Sequence, residues 1–370
     1  MIRILHVIGR MGSGGAETMI MNLYRKIDRS QIQFDFVVHT DKKAFYDDEI
    51  HALGGKIYST KRYNIINYFS YKKFWDDFFE QHPEYQIVHG HINSSAAVYL
   101  SSAKRHGKIA VAHSHATKNT KRNLRAYAFD ISAYPIRLIA DYFWGCSLQA
   151  GLDRFGKKVV CSDRFRVLNN GIETEKYTYS PQIREIIRSQ YKISNNTYVV
   201  GHVGRFTYAK NHDFLIDIFE KMHQTMTDSK LMLIGTGELK NTIREKVQRL
   251  HLEADVIFVG QVKNVYDYLQ AMDVFVFPSV FEGLGIALIE AQAAGLPCVV
   301  SENIQEEAKL PCDLVHTLNI DDGAMHWAEQ IQELQGTERK DTSQAVKGAG
   351  FDIEESANEL QEFYQELLRK

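Results

Sequence analysis

Apolar and polar positions along this chain alternate between two periods. Runs rich in β-branched and aromatic residues, Ile2 to Ile8, Phe34 to His39, Gln86 to His89, Ile109 to His113, Tyr142 to Cys146 and Arg166 to Leu168, read as strands. Between them lie stretches of helical length and spacing, such as Ala16 to Lys26 and Tyr71 to Gln81. Strand followed by helix, repeated, predicts an α/β fold with a parallel sheet. The second half repeats the pattern with Tyr198 to Val203, Leu231 to Ile234, Val256 to Val259, Val274 to Pro278 and Cys298 to Val300. A chain of 370 residues also exceeds one ordinary hydrophobic core, so two Rossmann-like domains are expected. The polar, turn-forming run NNGIETEKYTYSP places the linker near Asn170 to Pro181, with one domain over 1–175 and the other over 182–353. The cleft between them is the expected ligand site. Glu354 to Leu368 carries Leu360, Phe363, Tyr364 and Leu367 at helical spacing and predicts a terminal helix.

Composition narrows the class of protein. The first residues, MIRILHVIGR, meet glycine too soon for a signal and read as a first strand. No run has the uninterrupted apolar length to cross a bilayer, so a cytoplasmic protein, soluble or peripheral on the inner membrane face, is expected. Cys146, Cys161, Cys298 and Cys312 lack paired spacing and read as reduced thiols. Net charge is −2, but residues 1–175 hold 25 Lys+Arg against 17 Asp+Glu while the remainder holds 19 against 29. The basic excess gathers at Lys104-Arg105-His106-Gly107-Lys108 and at Lys118 to Arg125, ahead of an aromatic stretch. Cations beside Tyr, Phe and Trp suit an anionic membrane surface over 104–125; an ordinary solvated helix face is the plainer alternative. Nucleic acid fits poorly, because the whole chain is slightly acidic and carries no recognised binding motif.

Four stretches carry candidate chemistry. In PSVFEGLGIALIEAQAAGLPCVVS (278–301), Glu282 and Glu290 bracket Gly283 and Gly285, which let backbone approach a ligand. The helix expected from Ile286 offers unpaired first-turn amides suited to phosphate. A glutamate set among Leu284, Ile286, Leu288 and Ile289 is poorly solvated and seeks donors such as sugar hydroxyls. After the first strand, GRMGSGGAET is not the dinucleotide fingerprint, since Glu17 stands at the third glycine position counted from Gly12; Gly14 and Gly15 still aim amides at an anion. After Val203, Arg205 and Lys210 can clamp a diphosphate, one as a fork and one as a point charge. HGH at 89–91 and HSH at 113–115 end two strands; without an acidic ligand pattern or any Asp-x-Asp triplet, no metal is expected. Asn170-Gly171 favours a turn where the chain leaves the first domain.

These motifs, in this order, resemble the retaining glycosyltransferases of family 4, and within them the bacterial capsule and exopolysaccharide branch. The resemblance covers nearly the whole chain. It implies the GT-B fold, with the terminal helix crossing back to the first domain. It also implies a metal-independent transfer of a hexose or N-acetylhexosamine from a UDP-sugar, with GDP as the alternative nucleotide, to a saccharide or lipid-linked acceptor. Residue by residue, it puts Glu290 on the ribose and Glu282 on a hexose hydroxyl. Arg205, Lys210 and the Gly285 and Ile286 amides fall on the diphosphate, with Gly14, Gly15, Gly283, Gly235 and Val262 lining the donor. His115 or His113 would reach the sugar, and Asn170 belongs to the interdomain motif, where Glu173 replaces the usual aspartate. A non-hydrolysing epimerase or a non-catalytic sugar-nucleotide binder would share the fold.

Overall fold

The computed structural model describes residues 1–12, 14–115 and 134–369. They form two compact units, Met1–Ile172 with Gly350–Lys370, and Glu173–Ala349. The first is built on β1 (Ile2–Ile8), β2 (Ile32–Val38), β3 (Ile57–Ser59), β4 (Ile87–Gly90), β5 (Ile109–Ser114), β6 (Tyr142–Gly145) and β7 (Phe165–Val167). Among the described residues these make one parallel sheet in the order β3-β2-β1-β4-β5-β6-β7. The central strands are apolar on both sides because helices cover both faces. One face packs Ile4, Phe34 and Trp144 under the helix Gly15–Lys26, and the other packs Leu5, Val88 and Phe143 under Tyr68–Gln81 and Asn93–Arg105.

The terminal helix, Ile353–Arg369, belongs to this first unit. Its Leu360, Phe363, Tyr364 and Leu367 are buried in the same core as Ile4 and Phe34, which is why the four recur at helical spacing. The two chain crossings run side by side: Ile172 N–H donates to Phe351 O (2.8 Å) and Ile353 N–H to Ile172 O (3.0 Å). Gly171 is required there, since a Cβ would sit 2.8 Å from the Ile353 Cα.

The second unit contains β8 (Tyr198–Val203), β9 (Ser229–Ile234), β10 (Val256–Gly260), β11 (Val274–Phe277), β12 (Cys298–Ser301) and β13 (Val315–Leu318), parallel in the order β10-β9-β8-β11-β12-β13. Two strands escaped the sequence pattern. Both β3 and β13 are short edge strands, half-buried at best, so they lack the apolar run that betrays a central strand. The run expected to be a linker is instead folded onto the second unit from Glu173 onward. Pro181 starts the helix Pro181–Gln190, capped by Ser180, and its buried Arg188 binds Asp273 at 2.6 Å. The four cysteines are free. Among the described residues no helix is long and apolar enough to cross a membrane.

The expected membrane patch is changed by this packing. Lys104 pairs with Asp141 (2.7 Å), Arg105 with Asp76 (2.6 Å), and the mostly buried Lys108 donates to Pro83 O (3.0 Å). Its described cations are therefore engaged within the fold, and Lys118 to Arg125 lies outside the described residues.

Candidate active site

Parallel strands send all their carboxyl ends to one edge of a sheet, where loops can gather polar groups. In the second unit β8 ends at Val203 and the chain turns through Gly204. The backbone of 204–206 lies against 235–237 so closely that a Cβ on Gly235 would strike the Gly204 carbonyl. Phe206 N–H donates to Thr236 O (3.1 Å) and Leu239 N–H to Phe206 O (3.1 Å), tying the two loops together. From this frame Arg205 is exposed and its guanidinium has no partner among the described residues. Lys210 is held: its Nζ donates to Glu282 Oε1 at 2.6 Å and lies 4.4 Å from the Phe277 ring centre. Both chains of that pair are largely buried, 18% and 10% exposed for Lys210 and Glu282.

Gly285 opens the helix Ile286–Ala293 from a left-handed conformation, φ +84°, which an L side chain adopts only with strain. A Cβ on Gly283 would meet nothing within 4 Å. The Ile286 and Ala287 amides fall in the first turn and have no intrahelical acceptor. One turn further on, Glu290 is half-buried and accepts a hydrogen bond from the Tyr177 hydroxyl at 2.6 Å. Burial pushes the Glu290 carboxyl up to about 7, against the pull of the Tyr177 hydroxyl and the Lys210 charge. Gly235 and Val262 lie in the loops after β9 and β10, at the same edge of the sheet. Beneath the loop, His202 donates from Nδ1 to the Val276 carbonyl (2.8 Å), and His212 stacks on Phe206 with ring centres 4.0 Å apart. Burial holds both imidazoles neutral, His212 down to about 3.

The first unit, taken by itself, has two features of its own. Gly14 caps the helix Gly15–Lys26; a Cβ on Gly15 would meet nothing within 4 Å, whereas one on Gly14 would strike the Glu17 carboxylate, so open space lies beside Gly15 alone. Five histidines from the ends of β1, β4 and β5 form a ladder. His6 Nδ1 and His91 Nε2 share a hydrogen bond at 2.9 Å, His91 Nδ1 and His115 Nε2 at 2.7 Å, and His89 Nε2 and His113 Nδ1 at 3.2 Å. Tyr364 of the terminal helix reaches His89 Nδ1 at 2.5 Å. Burial lowers all five, His6 to about 3 and His115 to about 4. His113 is fully buried, whereas His115 is half-buried and its Nδ1 has no partner. Two triplets, His6-His89-His91 and His91-His113-His115, each offer one nitrogen per ring within 4.8 Å of the others, which is the one grouping among the described residues with the donor set of a transition-metal site.

Residues 13–176 match the family described as Glycosyltransferase Family 4, and residues 183–348 match Glycosyl transferases group 1. A relative from Bacillus subtilis, the putative glycosyltransferase EpsF, is 31% identical over 98% of this chain and 96% of its own. The chain belongs to the family 4 glycosyltransferases. The capsular polysaccharide biosynthesis glycosyltransferase CapH of Staphylococcus aureus is 25% identical over 98% of this glycosyltransferase and 99% of its own length. Among solved structures, Anabaena HepE in complex with UDP superposes with a TM-score of 0.80 at 17% identity, covering 99% of this chain and all of its own, which establishes the GT-B fold.

In this glycosyltransferase the second unit brings Lys210 and Glu282 into contact and sets Gly283, Gly285, Ile286 and Glu290 on one turn-and-helix segment. Asn170 belongs to the first unit, and its Oδ1 is buried without a partner. Sequence reasoning missed Tyr177, hidden in a run of turn formers, and His6, whose single polar place in the apolar run ILHVI was its only signal.

Proposed function

We propose that this glycosyltransferase retains anomeric configuration as it moves a hexose or N-acetylhexosamine from a UDP-sugar to a lipid-linked saccharide, in capsular or extracellular polysaccharide biosynthesis. The observation that carries the reading is the Lys210–Glu282 contact beside the Gly285 helix start. A cation and a carboxylate 2.6 Å apart match the adjoining halves of a sugar diphosphate, phosphate for one and hydroxyl for the other. Arg205, free of internal partners, and the Gly285 and Ile286 amides supply the remaining positive potential, so the diphosphate is neutralised without a metal ion. Gly14, Gly15, Gly235, Gly283 and Val262 line the donor, and Glu290 takes the ribose hydroxyls. His115 is assigned to the sugar over His113, because only His115 keeps access to the surface. The relatives support the polymer and the acceptor. CapH is named for capsular polysaccharide, and an Escherichia coli relative, 26% identical over 59% of this chain, is named as a galactosyltransferase acting on GlcNAc-diphosphoundecaprenol. HepE structures with UDP-glucose favour UDP.

A panel of UDP- and GDP-sugars tests the donor by thermal stabilisation, since a ligand at a hundred times its Kd adds about 2.7 kcal/mol. Transfer to a polyprenyl-diphosphate saccharide, with the product anomer read by NMR, tests the rest. Stabilisation by GDP-sugars alone, or an inverted product, would overturn this reading.

The ribose role of Glu290 makes a pH prediction. In the free protein its carboxyl titrates at about 7. Hydroxyls that donate to it favour the charged form, so the bound state has the lower pKa and binding expels a proton. Donor Kd should therefore rise as pH falls below about 7, by up to about tenfold per unit. Calorimetry of UDP-sugar binding measures this, since a diphosphate esterified at both ends has no ionisation of its own near neutrality, and Glu290→Gln should bind more weakly with a flat profile. A flat profile in the unmodified protein would remove the ribose role.

A further inference from the structure

The chain leaves β3 into a turn, Ile65–Asn67, that opens the helix Tyr68–Gln81, and there it displays Ile65, Ile66 and Phe69 at 86%, 96% and 82% exposure. Single exposed apolar residues are ordinary; three within five positions, all standing clear of the surface, are not. The tip is also rigid. Asn64 and Asn67 cap each other, each backbone N–H donating to the other's side-chain oxygen at 2.8 Å, and Asn67 Nδ2 donates to Arg62 O at 2.9 Å. Tyr71, Trp75, Phe78 and Phe79 anchor the helix below in the core, while Phe69 in its first turn and Ile65 and Ile66 on the turn before it face outward.

The border of the tip has its own chemistry. Lys61 and Arg62 are exposed and without ion-pair partners among the described residues, whereas Lys72 and Lys73 are matched by Asp76 and Asp77 (2.7 Å each). Tyr68, 39% exposed, stands edge-on to Phe69 with ring centres 5.3 Å apart. Apolar chains at the summit, a tyrosine at their edge and unpaired cations beside them follow the gradient of a bilayer from hydrocarbon to anionic headgroup. Protruding side chains enter a fluid layer without a matching pocket, which a protein partner would need.

We propose that residues 61–69 are a wedge that seats the first unit on an anionic lipid bilayer. Because β1 to β5 are parallel, the wedge leaves the same edge of the sheet as Gly14, Gly15 and His115. Delivery of a lipid-borne acceptor to that edge rests on the function proposed above; docking does not.

The test is flotation of the full-length protein with phosphatidylcholine vesicles and with vesicles containing phosphatidylglycerol, in the absence of donor and acceptor, so that it stands or falls separately from glycosyl transfer. The protein should float with the anionic vesicles. Ile66→Ser with Phe69→Ser should weaken that binding by roughly a hundredfold or more, and Lys61→Ser with Arg62→Ser by about tenfold or more on anionic lipid only. Both variants should keep the parent melting temperature. Three results would overturn the wedge: no flotation of the parent protein, unchanged flotation of both variants, or a lowered melting temperature in the apolar variant, which would mean that the chain itself packs the tip. Loss of flotation only when Lys118, Lys121, Arg122 and Arg125 become serine would assign docking to that later segment instead.

Discussion

Arg205→Ala should lower kcat by about 10²- to 10³-fold and leave the melting temperature unchanged. The guanidinium is exposed and engages no internal group, so its removal strands nothing. In the function proposed above its charge acts only when a diphosphate is present, and most as the leaving nucleotide gains charge, which places the expected loss in kcat. Lys210→Ala should behave differently. It should lose activity on the same scale, but it also leaves the 10%-exposed Glu282 carboxylate without its 2.6 Å partner. Removing one member of a largely buried pair costs about 3 kcal/mol, so this variant should melt several degrees lower, and a second change, Glu282→Gln, should recover much of the stability without the activity. Steady-state kinetics and calorimetric melting on the four proteins measure both quantities. A destabilised Arg205→Ala protein would make the arginine structural and break the proposed division of labour.

Acid should unfold the first unit before the second. His6, His89, His91, His113 and His115 are all held neutral by burial, with His6 at about 3 and His115 at about 4 in the fold. Their folded pKa values lie below the unfolded value near 6.5, so below pH 6.5 the unfolded chain binds more protons than the native one. The stability is fully present above that pH and is lost as pH falls toward the folded values. All five act in the same direction below pH 6.5, and together they draw on a large part of the roughly 5–15 kcal/mol that holds a typical domain together. In the second unit His202 and His212 act in the same direction, but Glu290 opposes them. Its folded pKa of about 7 exceeds the unfolded value, so it adds stability as pH falls toward the ordinary glutamate range. Hydrogen exchange read by peptide mass spectrometry, with samples held at stepwise lower pH, should show protection failing first across β1, β4 and β5. Simultaneous loss in both units would contradict it.

The distance between residues decided what could be read in advance. Glu282, Gly283, Gly285 and Glu290 sit within nine positions, and one turn-and-helix segment carries them, so spacing alone reported their placement. Tyr177 and Glu290 are 113 positions apart, and His6 and His91 are 85 apart. No local period records such pairs, and a tyrosine among turn formers reads as a loop residue until its hydroxyl is found on the half-buried Glu290 carboxylate. The ion pairing inside the expected basic patch was hidden for the same reason. The charges of Lys104 and Arg105 are visible in the sequence, but Asp141 and Asp76, which engage them, come from other elements.

By itself, the sequence determined the two α/β halves, the glycine turns and the short-range grouping of Glu282, Gly283, Gly285 and Glu290, because hydrophobic period and turn chemistry are properties of neighbouring residues. It also determined the terminal helix, whose four core residues repeat at helical spacing. Only the tertiary structure decided that Glu282 is tied to Lys210, that Glu290 is held by Tyr177, that five histidines stack across three strands, and that Ile65, Ile66 and Phe69 face outward. The reason is physical: strand order and helix packing set which distant side chains share a buried space, and burial then fixes their charge and their partners.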